Sequence, residues 1–227
     1  MNLLQPREIM RIPSFLSTID TDYGKPFEGG FYGGVININS HIYAIVWAPK
    51  STQIKAEIDV EKANAFDPAD SYSNTVALAD AGSPLARAAL AANINGYNDW
   101  LIPARDVLEL GYRMLKPSKN QNYANWFDGV NRNSLPEGKH YSESYPAQTI
   151  ASDFLDGGSE SFDLAWYWSS SLHSGGVAFC QHFEDGYQSH YHSVSAVGLA
   201  RFVRLTQVPV QALTTTTIDT QSINLHH

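Results

Sequence analysis

The chain has 227 residues, 43% hydrophobic and only 17% charged, which suits one globular domain with extensions and enough apolar residues for a real core. Its net charge of −8 comes with no basic stripe, which argues against nucleic acid and anionic membranes, because phosphate binding needs clustered Lys and Arg. The single cysteine, Cys180, excludes an intrachain disulfide, and no run of about 18 apolar residues offers a membrane span.

Residues 1–25, with Pro6 and Pro13, read as an arm or subunit contact. They hold no apolar segment behind a basic start, so a chain made and folded in a reducing cytoplasm without a secretory signal is expected. The β-rich runs 35–38 and 42–46 flank Asn39 and Ser40 and predict a hairpin turning there. Gly29, Gly30, Gly33 and Gly34 predict a bulge or a close backbone approach at its start. Residues 73–93 are rich in Ala and Leu, and Gly82, Ser83 and Pro84 split them into two short helices, with Ser83 as N-cap and Pro84 at the first helical position. Residues 103–115 read as a third helix, with Pro103 in its first turn and Val107, Leu110, Gly111 and Met114 on one face.

Residues 118–146 are long and polar, and Tyr123, Trp126, Phe127 and Tyr141 argue that this loop is ordered. Residues 147–158 read as a short helix closed by Gly157. From Phe162 the pattern is short strands: "LAWYWSSS", "GVAFCQHF", "YQSHYHSV" and "ARFVRLTQV". The tail, residues 208–227, is Thr-rich and reads as a linker, an edge strand or a subunit contact. The result is an α+β domain over residues 26–207, between an arm (1–25) and a tail (208–227), whose early hairpin shares a sheet with residues 201–207.

Residues 165–194 hold two of the five tryptophans and four of the eight histidines, with Glu184 and Asp185 the only charged side chains. A core would prefer Leu, Ile and Val, and a solvated face Lys and Glu. Rings mixed with short polar groups make the composition of a recognition surface. Trp166 and Trp168 alternate with Tyr167 and read as core beneath the third helix, flooring the site. Val177, Phe179, Gln181 and Phe183 share a face read as mostly inward, with Gln181 near its end a borderline case, and residues 184–186 make a hairpin turn. Tyr187, Ser189 and Tyr191 then oppose Gln188, His190 and His192, and burial explains such a doubly polar strand poorly. The candidate ligand-binding residues are His173, Gln181, His182, Tyr187, Gln188, His190, Tyr191 and His192, with Trp126 from the long loop, all expected to be exposed on one face.

The runs "GYNDWLIPAR", "WYWSSS", "DGYQ" and "RFVR", with "GGFYGG" and "YAIVWAPKS" ahead of them, resemble the bacterial and phage family DUF1566 over about residues 64–206. That resemblance implies a C-type-lectin-like fold: small antiparallel sheets, two or more short helices, and long loops that form one face. Some phage-encoded and retroelement-diversified proteins of this fold bind host receptors through their last strands, which correspond here to residues 172–193. Arg201 and Arg204 then read as buried structural pairs, with Phe202 and Val203 on opposite faces. The implied protein is a phage or prophage tail component carried in the virion. Its partners would be a host surface receptor, protein or glycan, and other tail proteins, and residues 173–192 would be a target of adenine-directed diversification.

His190 and His192, two apart, would share a strand face, with His182 or His173 as a third ligand, but nothing in the sequence makes a zinc set converge. Asn98 and Asp99 look only superficially like calcium ligands. No metal and no other cofactor is expected. Formylglycine-generating enzymes of this broad fold need a cysteine pair, which the chain lacks, and no nucleophile motif is present, so the chain reads as non-enzymatic. The alternatives are a calcium- or metal-dependent carbohydrate-binding lectin and a structural virion subunit. A homo-oligomer, trimer before dimer, is expected through Leu3, Leu4, Met10, Ile12 and Phe15 of the arm and residues 210–225 of the tail, because repeated sites raise avidity.

Overall fold

The computed structural model describes residues 23–125, 127–174 and 176–209. The arm, most of the tail and Trp126 therefore lie outside the described residues, and with them the expected oligomer contacts.

Asn39 and Ser40 both take positive φ, 51° and 67°, which gives the two-residue turn whose twist matches antiparallel strands. It joins β2 (Gly30–Ile38) to β3 (His41–Trp47), with Ile38 opposite His41. The register slips between Tyr32 and Val35, so Gly33 and Gly34 form the expected bulge. A side chain on Gly33 would run into the Trp47 indole, so the bulge lets the core tryptophan lie against bare backbone. The closing strand β10 (Val203–Gln207) pairs antiparallel with β3 from Val203–Trp47 to Gln207–Tyr43, which is the pairing expected for the two ends of the domain. Two short strands, β1 (Pro26–Phe27) and β5 (Ser134–Leu135), pair with β2 and complete this first sheet.

The helices are α1 (Ser71–Asp80), α2 (Pro84–Ala91) and α3 (Arg105–Leu115). The Asp70 carboxylate accepts from Ser73 N and caps α1, and the Ser83 hydroxyl accepts from Ala86 N and caps α2 ahead of Pro84, as the sequence predicted. Pro103 does not open α3. It lies in an extended lead-in whose backbone is already committed, with Ser170 N donating to Pro103 O at 2.8 Å and Ala104 N donating to the Ser71 hydroxyl at 2.8 Å. Residues 147–158 do not form a helix beyond the single 3₁₀ turn Ser152–Phe154. Their backbone hydrogen bonds go instead to successive tight turns and to Pro117 O.

The second sheet runs β4 (Ile54–Ala56), β9 (Gly198–Ala200), β6 (Trp166–Ser174), β7 (Val177–His182), β8 (Gln188–Ser193). All neighbours are antiparallel except β6 and β9, which meet at Tyr167 and Leu199 in parallel. The chain is thus an α+β fold of two antiparallel-dominated sheets and, among the described residues, three α-helices. None of these helices is long and apolar enough to cross a membrane.

The second sheet lies between two cores. Tyr167 and Phe183 pack with Ile36, Ile45, Trp47, Phe162 and the α3 side chains Val107, Leu110 and Tyr112. Trp168, Leu172, Ala178 and Cys180 pack on the other side with Leu78 of α1, Leu85 and Ala89 of α2, and Trp100. The tryptophan face therefore looks toward α1 and α2, not toward α3 as expected; Tyr167 takes the α3 side. Phe202 and Val203 do divide between the two cores.

Candidate functional site

The edge strand β8 and its neighbours position the candidate residues, and two bulges decide where each points. On β6, Trp168 sits opposite Cys180 and Leu172 opposite Ala178, so β6 fits two extra residues into that interval. The surplus falls in the serine run. Ser169, Ser170 and Ser171 are buried, and the Ser171 hydroxyl donates to Asp67 O at 2.7 Å and accepts from Arg105 N at 3.0 Å. The "SSS" run is thus an internal polar tie to the start of α3 and no part of a surface.

On β8, Ser189 sits opposite Cys180 and His192 opposite Ala178, so three steps along β8 match two along β7. The extra residue breaks the alternation, and His190 and His192 end on opposite faces. The His192 ring lies 4.3 Å from Trp166, which also meets His182 at 4.9 Å and Tyr187 at 5.6 Å. The His190 ring lies 4.7 Å from His173, 5.9 Å from Phe179 and 3.8 Å from Tyr191, with Phe127 of the long loop at 6.2 Å. The single face expected from the sequence is therefore two ring clusters back to back across the edge of the sheet. The two-apart histidine pair considered for a metal is split between them, and among the described residues no group of three His, Cys, Asp or Glu is arranged to hold one.

Exposure divides the candidates further. Tyr191, 71% exposed, and His173 are open to solvent, while His182, Tyr187, Gln188, His190 and His192 are half-buried. Gln181 is 1% exposed, contrary to expectation. Its amide nitrogen donates to the Tyr141 hydroxyl and to Gly186 O, both at 3.2 Å, so it ties β7 to the long loop and to the following turn. Gln188 is also partly structural: its side-chain oxygen accepts from Gly129 N at 2.8 Å. Trp126 lies outside the described residues. Residues 184–186 turn as expected, inside a longer connection in which Gly186 N donates to His182 O.

The long loop that walls this edge is held by a buried polar network, not only by its aromatics. Glu109 on α3 accepts from Arg113 Nε at 3.0 Å, the Tyr141 hydroxyl at 2.9 Å and Asn131 Nδ2 at 2.6 Å. Burial pushes the Glu109 carboxyl up, and the Arg113 charge with these hydrogen bonds opposes that rise. Lys116, also buried, donates to Asn120 O at 2.6 Å and Asn122 Oδ1 at 2.7 Å, and burial holds its ammonium below the ordinary lysine range. The polar wall carries no visible sequence signature: Glu109 and Arg113 stand in a predicted helix and Asn131 in a polar loop, and nothing in their spacing shows that they meet.

Desolvation, then the neighbouring His173, lowers the His190 imidazole below its usual range, and desolvation, then His182, lowers His192. Both rings are therefore predominantly neutral at pH 7 and present one donor and one acceptor each. Burial raises the Cys180 thiol far above its usual range, so it is an inert member of the core. The Asp99 carboxylate, superficially calcium-like in sequence, is engaged by Arg204, Nη2 at 3.0 Å and Nε closer still.

Beside His190 a cleft of about 240 Å³ opens, lined by Arg105, Phe127, Val130, Phe179, Gln188 and His190. Phe179, expected to face inward, is only half-buried here, and the Arg105 guanidinium lies 5.1 Å over its ring. Arg105, Phe127, Val130 and Phe179 line the cleft without having been site candidates: Arg105 opens a helix, Phe127 and Val130 sit mid-loop far from β8 in the chain, and Phe179 alternates with inward residues. The arrangement offers rigid rings, two imidazoles, a phenol and one guanidinium at a sheet edge, which is binding chemistry. The sequence matched no family model, and searches of curated proteins and of solved structures likewise returned no match.

Proposed function

We propose that the chain is a non-enzymatic recognition domain, DUF1566-like and of C-type-lectin-like fold, which serves in a phage or prophage tail and contacts a receptor on the host surface. The observation that carries this reading is the composition and exposure of β8. Edge strands in stable monomers commonly carry lysine, proline or charge against unwanted pairing. This one reads Gln, Ser, His, Tyr, His, Ser, and its bulge turns Tyr191 outward at 71% exposure, beside His173 and His190. Rigid rings with hydrogen-bonding tips are the side chains that anchor recognition at low entropic cost. The host-attachment part rests on the likeness to phage-encoded members. A trimeric tail assembly would multiply a weak single contact into useful avidity.

The test is binding of the labelled full-length protein to intact host cells. Tyr191→Ala should leave the melting temperature close to that of the parent, since the ring is exposed, and weaken cell binding by about tenfold or more. A Tyr191→Ala protein that binds cells as the parent does would sink the reading.

A further inference from the structure

We infer that the cleft beside His190 is a subsite for a sugar ring bearing a carboxylate, held by Arg105. This rests on the recognition reading above and names the ligand chemistry of that same edge.

The argument begins with how Arg105 is held. Its backbone N–H is fixed by the Ser171 hydroxyl, and its Nε donates to Asp106 Oδ1 at 2.8 Å. Asp106 is itself buried, and its second oxygen accepts from Asn133 Nδ2 at 2.7 Å. The guanidinium therefore cannot swing freely. Below it lies the Phe179 ring, 5.1 Å from its central carbon. The two terminal nitrogens, Nη1 and Nη2, have no partner among the described residues. A guanidinium anchored through Nε, stacked on a ring, with its terminal N–H groups open is prepared for two-pronged binding of a carboxylate.

The rest of the cleft selects what carries that carboxylate. At about 240 Å³ it has room for a single six-membered ring, smaller than the usual site for a drug-sized ligand. Phe127, Phe179 and Val130 supply apolar wall for the C–H face of a sugar. The neutral His190 imidazole, with exposed His173 at 4.7 Å and the Tyr191 ring at 3.8 Å, supplies donors and acceptors for hydroxyl groups. An aspartate or glutamate side chain of a protein ligand would use the guanidinium but leave these hydroxyl-matching groups idle. The net charge of −8 gives such an anion no long-range attraction, so the fork itself must supply the preference.

The experiment titrates the full-length protein with methyl β-glucuronide and with methyl β-glucoside, which differ only in carboxylate against hydroxymethyl, by saturation-transfer NMR and calorimetry. The glucuronide should bind about tenfold or more tightly than the glucoside. Arg105→Gln should abolish that preference. Because Arg105→Gln strands Asp106, Val130→Phe, which fills the cleft and leaves the fork intact, serves as the second variant and should block both sugars. Equal binding of the two glycosides, no binding of either, or a preference that survives both variants would overturn the inference. So would an acidic tetrapeptide that competes as well as the glucuronide, since that would make the site a peptide subsite. If cell binding is lost in Tyr191→Ala while the glucuronide titration is flat, the acidic-sugar inference alone falls and the recognition reading stands.

Discussion

Asp128 is fully buried, and its Oδ2 has no hydrogen-bond partner among the described residues. Its other oxygen accepts from Gln188 N at 3.3 Å. Burial is the main force on the carboxyl and pushes it up to about 6 from 3.8, with backbone N–H groups of Gln188 and Asn125 opposing and Asp185 adding to the rise. The sign follows directly. A carboxyl whose folded value is raised binds its proton more tightly in the folded state, so its ionisation costs stability. That cost is absent below about pH 4, grows between about pH 4 and 6, and is complete above. Urea unfolding should therefore show the protein gaining up to about 3 kcal/mol from this group as pH falls from 7 to 4, and Asp128→Asn should lose that gain. An Asp128→Asn protein with the parent's pH profile would show that the carboxyl is hydrated after all. Nothing in "NWFDGV" marks Asp128 as buried; an aspartate before glycine in a polar run reads as a solvated turn. The exposure of Tyr191 was legible because a ring in β8, a strand of no apolar pattern, has few buried uses. Gln181 was not, since its burial depends on the Tyr141 hydroxyl, 40 residues earlier in the chain.

The bulges on β6 and β8 are where alternation stopped being a guide. Period-two reading assigned His190 and His192 to one face, and one inserted residue on β8 put them on two. The serine run shows the same effect with opposite consequences for adjacent residues. The Ser171 hydroxyl satisfies Arg105 N and Asp67 O, and Asn74 Nδ2 approaches it at 3.3 Å. The Ser170 hydroxyl is buried with no partner among the described residues. Ser171→Ala leaves a helix-start N–H unpaired in the interior and should cost about 1–3 kcal/mol. Ser170→Ala removes a desolvated hydroxyl that bonds to nothing and should be neutral or slightly stabilising. Urea midpoints of the two variants would settle the point, and equal losses would show that the bulge does not divide the serines in this way. The hairpin at Asn39–Ser40 and the Ser83–Pro84 helix start were legible because they rest on local backbone chemistry, which a single sequence does display.

At the scale of the whole molecule, two arginines tie the closing strand to distant loops. Alternation cannot distinguish a sheet covered on one face from one covered on both, which is why the tryptophans of β6 were assigned to the core beneath α3 and lie in the other. The pairing of the chain's two ends was legible, because two apolar runs near the domain limits need partners. Arg201 donates to Ala48 O at 2.6 Å, Glu160 O at 2.7 Å and Glu160 Oε2 at 2.7 Å, and lies 4.7 Å over Phe162, with its side chain sealed from solvent. Arg204 grips Asp99 and Glu28 O and stacks 3.8 Å over Tyr97, but the Asp99 side chain remains 53% exposed. The two should respond differently to removal. Arg201→Met leaves two interior carbonyls and a largely buried carboxylate short of donors, a loss on the order of 3–5 kcal/mol. Arg204→Met returns the Asp99 carboxylate to water and forfeits mainly the ring contact, a loss of about 1 kcal/mol. Chemical unfolding at constant slope would read both as shifts in midpoint. Comparable losses would mean that the Asp99 pair is as dry as the Glu160 pair, and that the "GYNDW" turn is held as firmly as the interior of the fold.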